Sequence, residues 1–122
     1  MKLILAMSPT ILFVVYAQLI TKWRIGVISE AIQNSPDKIS RLFIYLKDPL
    51  ILSTYIAALA GSVAWIFVVE KYEIAVAFPI YVGLTVLLMA VSGSILFSEH
   101  ITALRIIGMI LIVLGVAFVS RT

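Results

Sequence analysis

The stretch IAVAFPIYVGLTVLLMAVSGSILFS, residues 74–98, contains no charged residue. A helix needs about 20 apolar residues to cross the hydrocarbon core of a bilayer. This stretch therefore predicts a membrane-spanning helix over 74–98. Similar stretches on both sides predict further spans over 3–21, 49–69 and 101–120. The last span includes Arg105, whose long side chain is expected to reach toward the membrane surface.

The composition of the whole chain favours a membrane protein. Of its 122 residues, 63% are hydrophobic and 12% are charged, and the mean hydropathy is +1.19. Soluble domains carry roughly 25% charged residues, and a small domain has too much surface for so few charges to cover. We therefore expect one all-α integral membrane domain over 1–122. The chain has no cysteine, which excludes disulfides, thiol catalysis and iron–sulfur ligation.

The connection between the first two spans is long and predicts an additional amphipathic helix over 36–47. Ser35, Pro36 and Asp37 are typical of an N-cap, a first-position proline and a first-turn acid. Apolar residues then recur at helical spacing. They are Ile39, Leu42, Phe43 and Leu46. Such a helix lies in the lipid headgroup layer or packs on the mouth of the protein itself, and the sequence leaves both open.

Lysine and arginine are distributed unevenly between the two sides that the spans create. Cytoplasmic connections of membrane proteins carry an excess of these residues. Six lie in the first and third connections, namely Lys22, Arg24, Lys38, Arg41, Lys47 and Arg105. Three lie on the opposite side, namely Lys2, Lys71 and Arg121. We therefore expect cytoplasmic first and third connections and both termini outside, and insertion in both orientations is disfavoured.

Residues that would support catalysis or nucleic-acid binding are missing from the sequence. His100 is the only histidine, and no HExxH motif, phosphate-binding glycine loop or pair of carboxylates within a span occurs. The net charge of +3 is scattered between apolar runs rather than clustered with aromatic residues. We therefore expect no enzyme, no metal, no cofactor and no nucleic-acid partner.

Gln18 and Lys22 are the most conspicuous polar residues near the end of the first span. Their i,i+4 spacing places them on one helix face. Together they would offer an amide and an ammonium group to a phosphate at the membrane edge. Alternatively, Gln18 hydrogen-bonds a neighbouring helix, and Lys22 only extends toward the surface. The sequence does not decide between these interpretations.

Small residues and a proline predict how the third and fourth spans pack. Gly108 and Gly115 are seven residues apart, so both lie on one face, where they favour close helix contact in a dimer or within one chain. Pro79 cannot donate its backbone N–H and predicts a kink. Gly83, one turn further along, predicts a flexible or closely approached segment.

Two stretches resemble those of a known family. The sequence LRIIGMILIVLGV, residues 104–116, is similar to the fourth helix of small multidrug resistance proteins, whose glycines pair two subunits. The sequence IAVA from residue 74, followed by Gly83, resembles their third helix. The chain thus looks like a four-span member of the drug/metabolite transporter superfamily. The first span departs from that pattern, because Val14 stands where those proteins carry their membrane glutamate.

Three short motifs resemble more closely the small subunits of the undecaprenyl-phosphate-aminoarabinose flippase. They are Ala17-Gln18-Leu19 with Lys22, Ala77-Phe78-Pro79, and Phe97-Ser98-Glu99 with Thr102, where His100 replaces a proline of the family turn. The resemblance implies a transporter that moves a lipid-linked sugar across the bacterial inner membrane. It implies that Gln18, Lys22 and Arg24 contact the phosphate. We further expect the cavity for the sugar hydroxyls to be lined by Tyr16, Trp65, Tyr81 and Thr85.

Two other functions remain open at this point. One is a proton-coupled exporter of the small multidrug resistance type, which would use Glu73 or Glu99 at a helix end as its coupling acid. The other is an accessory subunit, without transport activity, of a membrane glycosyltransferase. The expected partners are membrane lipid, an amphiphilic substrate, and a second copy or a second four-span subunit.

Overall fold

The computed structural model describes residues 2–33 and 37–121, and these form five α-helices. They are α1 (Lys2–Gln33), α2 (Lys38–Lys47), α3 (Pro49–Lys71), α4 (Ile74–Leu96) and α5 (Ala103–Ser120). Four of them, α1, α3, α4 and α5, are long and apolar enough to cross a membrane. The all-α prediction is confirmed, and the four helices fit a multi-pass membrane protein.

The first helix is longer than the predicted span over 3–21. It continues to Gln33, so α1 and α2 together make most of the predicted connection helical. The charges at Lys22 and Arg24 end the apolar run, but charged residues are good helix formers. Gly26 costs only about 1 kcal/mol within a helix. The Ser29 hydroxyl donates to the Gly26 carbonyl oxygen at 2.8 Å, so this hydroxyl has a hydrogen-bond partner within the helix.

The turn between α4 and α5 is longer than predicted, because α4 ends at Leu96 and α5 begins at Ala103. Ser98 has a φ of 52°, a left-handed conformation that cannot continue a right-handed helix. Thr102 caps α5, since its hydroxyl accepts from the backbone N–H of Arg105 at 3.2 Å. Local capping therefore sets both boundaries.

Helix α2 begins at Lys38, and Asp37 is its N-cap residue without a side-chain capping bond. The prediction that Asp37 lies in the first turn is wrong, and Ser35 and Pro36 lie outside the described residues. No residue of α2 is buried. The apolar stripe of α2 is exposed, with Ile39 64% and Phe43 59% accessible. Its apolar stripe is therefore not packed on the mouth of the protein.

Helix α1 is the centre of the bundle, and it packs between α3 and α4. The buried core consists of Met7, Ile11, Val68, Ala77 and Ile80, which come from these three helices. The approach of α1 to α3 depends on Gly61, where an added Cβ would lie 3.3 Å from Phe13 Cβ. Close contact of this kind is how membrane helices associate.

Among the described helices, α5 packs only on α4, and none of its residues is buried. The contact depends on Gly83, where an added Cβ would lie 2.5 Å from Val116 Cγ2. The predicted close approach at Gly83 is therefore present in the fold. Helix α4 continues without interruption through Pro79.

One end of the bundle collects the charged groups of the α1 continuation, α2 and the α4–α5 turn. We call it the basic end, and it is defined by Lys22, Arg24, Asp48, Glu99 and Arg105. Two ion pairs within this set join segments that are distant in sequence. The opposite end contains the α3–α4 turn, the N-terminal end of α1 and the C-terminal end of α5.

Candidate functional site

A cavity of about 210 Å³ lies between α1, α3 and α4. Its walls combine aromatic rings and hydroxyl groups with small and branched residues. They are Thr10, Val14, Gly61, Ser62, Trp65, Phe78 and Tyr81. It brings aromatic rings and hydroxyl groups together within the apolar part of the bundle, and it is our candidate substrate site.

Three aromatic rings form a cluster at this cavity. The Trp65 and Tyr81 ring centroids lie 5.0 Å apart, and the Phe78 and Tyr81 centroids lie 6.1 Å apart. Trp65 and Phe78 meet edge to face with centroids 6.4 Å apart. These distances are within the range of favourable aromatic contacts, so the cluster is a preformed apolar wall.

Two hydroxyl groups complete the cavity wall. Thr10 is buried, and its hydroxyl donates to the Gly61 carbonyl oxygen at 3.0 Å across the α1–α3 contact. The Ser62 hydroxyl donates to the Ala58 carbonyl oxygen at 3.1 Å within α3. Each hydroxyl oxygen keeps acceptor capacity for a ligand.

Carboxylates are missing from the walls of this cavity. Val14, at the position where the resemblance would require a glutamate, is one of the lining residues. Glu73 is an exposed N-cap residue of α4 without a side-chain capping bond, and Glu99 lies at the basic end. The structure does not bring either predicted coupling acid to the cavity.

The structure brings together two of the four predicted cavity residues, Trp65 and Tyr81. Tyr16 instead faces an outer apolar groove of α1 and α3, where its hydroxyl lies 3.0 Å from Ser53 Oγ. Thr85 does not line the cavity, and its Oγ1 is buried without a hydrogen-bond partner among the described residues. The prediction that all four residues line one cavity is therefore wrong.

The residues that were predicted to bind a phosphate at the basic end are arranged differently from the expectation. Lys22 forms an ion pair with Glu99, and its ammonium lies 5.7 Å from the centre of the Phe97 ring. Gln18 is exposed, and its amide has no hydrogen-bond partner in residues 2–33 and 37–121. Lys22 is thus already paired, and an anion would have to compete with Glu99 for it.

Arg24 is occupied by Asp48. Its Nη2 lies 2.6 Å from Asp48 Oδ2, and its Nε donates to the same oxygen at 2.8 Å. The other oxygen, Oδ1, accepts from the backbone N–H of Leu50 at 2.9 Å and caps α3. Burial raises the pKa of Asp48, but the bonds from Arg24 and Leu50 outweigh it and hold the pKa below its usual 3.8.

Asp48 is a residue that the sequence reasoning missed. An aspartate directly before a proline that opens an apolar run is the signature of an N-cap followed by a first-position proline. This signal was present in Asp48-Pro49. Its pairing with Arg24 could not be predicted, because it depends on how α1 and α3 are placed in space.

The aromatic cavity and the basic end are separate places on α1. Thr10 at the cavity and Lys22 at the basic end are twelve positions apart on α1. A helix rises 1.5 Å per residue, so these positions are about 18 Å apart along its axis. One bound headgroup cannot contact both at once. The aromatic cavity and the cationic groups are therefore distinct sites.

Gly108 and Gly115 lie on an open face of α5. An added Cβ at either position would have no heavy atom within 4 Å. Close packing against the rest of the chain, one of the two predicted roles, therefore does not involve these glycines. The described residues leave the space beside both glycines unfilled, and Gly108 also faces the gap between α4 and α5.

The described residues contain no group of three or more histidine, aspartate or glutamate side chains that could hold a metal ion. Nor does the geometry of the cavity provide a nucleophile with an adjacent base. In comparisons with known proteins, no family model, no curated protein and no solved structure matches the chain.

Proposed function

We propose that the chain is a subunit of a membrane transporter or flippase that moves a polyprenyl-phosphate-linked sugar, or a similar amphiphile, across the bacterial inner membrane. The observation that supports the proposal most directly is the aromatic and hydroxyl-lined cavity between three apolar helices. Ligand sites typically combine apolar and aromatic walls with a few polar groups.

The chemistry of the cavity suits an uncharged sugar ring. The faces of Trp65 and Tyr81 offer apolar surface for the C–H groups of a sugar, and the hydroxyls of Thr10 and Ser62 can accept hydrogen bonds from its hydroxyls. A volume of 210 Å³ corresponds to about seven water molecules. This is room for about one sugar ring.

The two sites would act in succession. The phosphate arrives at the basic end and competes with Glu99 for Lys22, with the exposed Gln18 amide on the same face. The sugar then passes along α1 to the aromatic cavity. Charge-assisted hydrogen bonds to a phosphate contribute about 1.5–3 kcal/mol each, which is enough to replace an ion pair that is open to solvent.

The proposed orientation places the basic end in the cytoplasm and both termini in the periplasm, because cytoplasmic segments carry more lysine and arginine. The chain has no cysteine, so single-cysteine variants need no background substitution. We expect a membrane-impermeant maleimide to label Lys71→Cys in cells whose outer membrane has been removed and whose inner membrane is intact. Ser98→Cys should react only after the membrane is permeabilised.

The proposed assembly pairs two subunits through the open face of α5. On this unburied helix a Cβ added at Gly108 or Gly115 would meet no heavy atom within 4 Å, so a second helix can approach at short range. The partner is a second copy or another four-span subunit.

The proposal is tested by transport of a fluorescent polyprenyl-phosphate-linked hexose in proteoliposomes, with the probe on the outer leaflet quenched chemically. We expect Trp65→Ala to reduce the transport rate by roughly tenfold or more, because it removes the largest wall of the cavity. Phe67→Ala is the matched control, since Phe67 is on the same helix but 63% exposed.

Two results would contradict the proposal. One is equal transport by the wild type and a folded Trp65→Ala variant. The other is a transport rate that requires a pH gradient and loses that requirement in Glu73→Gln or Glu99→Gln, which would favour the proton-coupled exporter. Lipids that remain on the purified protein, identified by mass spectrometry, give an independent test of the substrate class.

A further inference from the structure

A second cavity opens between α4 and α5 at the basic end, with a volume of about 250 Å³. Ala90 and Ser94 line it on α4, and Gly108 and Ile112 line it on α5. An added Cβ at Gly108 would have no heavy atom within 4 Å, so this wall leaves space. The cavity is therefore a cleft that runs from the turn into the apolar part of the bundle.

Two charged residues, Glu99 and Arg105, stand at the mouth of the cleft. Glu99 is paired with Lys22. Arg105 donates one N–H to the His100 carbonyl oxygen at 2.7 Å, and no carboxylate of the described residues forms an ion pair with it. Because Lys22 and Glu99 neutralise each other, the mouth of the cleft has one surplus positive charge.

The position of Arg105 is not explained by its own helix. It lies in the first turn of α5, where the helix dipole disfavours a cation. A guanidinium has five N–H donors in a planar fork that matches the oxygens of a phosphate. Only one of the Arg105 donors is used by the protein, as far as the described residues show. The remaining donors are available to a ligand.

We propose that this cleft binds an anionic phospholipid, with its phosphodiester at Arg105 and one acyl chain between α4 and α5. The single negative charge of a phosphodiester matches the surplus positive charge at the mouth. From Arg105 to Ile112 the cleft follows α5 for about 10 Å, which accommodates the first part of an acyl chain. The site requires the helices to be inserted in a membrane but does not require transport of any substrate.

The charge pattern distinguishes an anionic lipid from a zwitterionic one. The ammonium of phosphatidylethanolamine would need a free carboxylate, and Glu99 is already held by Lys22. Phosphatidylcholine has the same phosphate but carries a bulky cation beside it. Phosphatidylglycerol has no cation in its headgroup, so it is the lipid chosen as the probe.

The test measures binding of palmitoyl-oleoyl phosphatidylglycerol to the full-length protein in a neutral detergent by native mass spectrometry. We expect Arg105→Gln to weaken binding by roughly tenfold or more, because a charge-assisted contact is lost. Arg105→Lys should lose less, since it keeps the charge without the fork. Lys47→Gln is the matched control, because Lys47 is an exposed cation near the same end.

A second pair of variants tests the acyl-chain part of the cleft. Ala90→Phe should fill the cleft and weaken binding of the phospholipid. Val91→Phe, at a 52% exposed neighbour outside the cleft, should not. Glycerol phosphate, which has the headgroup without the chains, should compete poorly with the lipid.

The proposal fails if Arg105→Gln and Lys47→Gln weaken binding equally, because the attraction would then be a general property of the basic end. It also fails if phosphatidylcholine binds as tightly as phosphatidylglycerol, or if glycerol phosphate competes fully. Thermal unfolding without added lipid identifies variants that do not fold. Loss of transport in the hexose assay has no bearing on these binding measurements, so the two proposals fail independently.

Discussion

Lys22 on α1 and Glu99 in the turn between α4 and α5 form an ion pair that joins positions 77 residues apart in sequence. The carboxylate also lies against Gly93 near the end of α4, where an added Cβ would be 2.9 Å from Oε2. The pair therefore connects the turn to the central helix of the bundle at the basic end.

Reversal of this pair tests its contribution. We expect Lys22→Glu and Glu99→Lys each to lower the thermal unfolding temperature in detergent, because each places two like charges together. The double variant restores opposite charges and should recover part of the loss. Lys47→Glu serves as a control for the change in net charge. If the double variant lost as much stability as the two single variants together, the result would contradict a direct interaction between the two residues.

The pair also predicts a pH dependence. The hydrogen bond and charge of Lys22, with a smaller effect of Arg105, lower the pKa of Glu99 below its usual 4.5. The stabilisation is thus fully present above about pH 4.5, the pKa of the unfolded chain, and is lost as the pH falls through the lower folded pKa. The difference in unfolding temperature between wild type and Glu99→Gln should be constant at neutral pH and shrink in acid. A constant difference down to pH 3 would exclude this linkage.

Substitution of Gly83 tests the contact between α4 and α5. A Cβ there would lie 2.5 Å from Val116 Cγ2 and 3.3 Å from Ile112 Cγ2. Both are β-branched side chains with little freedom to move. We expect Gly83→Ala to reduce the free energy of unfolding by about 1–3 kcal/mol. Gly115→Ala, where a Cβ meets nothing within 4 Å, should cause no loss. Equal stability of the two variants would show that the contact is looser than described.

Asp48 and Asp37 are both N-cap residues, and they form a matched pair for a stability test. Asp48 accepts bonds from Arg24 and Leu50, whereas Asp37 makes no side-chain capping bond. We expect Asp48→Ala to lower the thermal unfolding temperature clearly and Asp37→Ala to change it little. Asp48→Asn should fall between, because it can still cap α3 but loses the charge that pairs with Arg24. Equal effects at the two positions would contradict this assignment.

The exposed apolar stripe of α2 predicts that this helix lies on the membrane surface. A cysteine at Phe43 or at Lys38, labelled with an environment-sensitive fluorophore, reports the polarity at each position. We expect blue-shifted emission from Phe43→Cys in liposomes and aqueous emission from Lys38→Cys. Both probes are near water if α2 projects away from the membrane, and that result would reject the interfacial position.

The open face of α5 predicts association through Gly108 and Gly115. A Leu side chain at Gly115 would occupy the space that a partner helix needs. We expect Gly115→Leu to weaken dimerisation by about 1–3 kcal/mol without loss of folding. Cross-linking in liposomes measures the dimer fraction, and Val113→Leu on the same helix is the control. An unchanged dimer fraction would place the interface elsewhere.

The four apolar helices could be predicted from the sequence because the bilayer imposes length and apolarity, and both are visible along the chain. The amphipathic stripe of α2 is equally local. The continuation of α1 beyond the predicted span over 3–21 was not visible in the hydropathy, for a physical reason. Polarity shows where a chain leaves hydrocarbon, whereas continuation of a helix depends on backbone propensity. Lys22 and Arg24 end the apolar run, but both are good helix formers.

The tertiary structure alone decided which side chains meet. Trp65 and Tyr81 face one cavity, while Tyr16 faces an outer groove and Thr85 lines neither. Gln18 and Lys22 share a helix face, yet Lys22 pairs with Glu99 and Gln18 stays exposed. Each of these outcomes depends on the rotation of one helix against its neighbours. That rotation is set by close packing at Gly61 and Gly83, because van der Waals contact falls off within an ångström and has no signature in hydropathy.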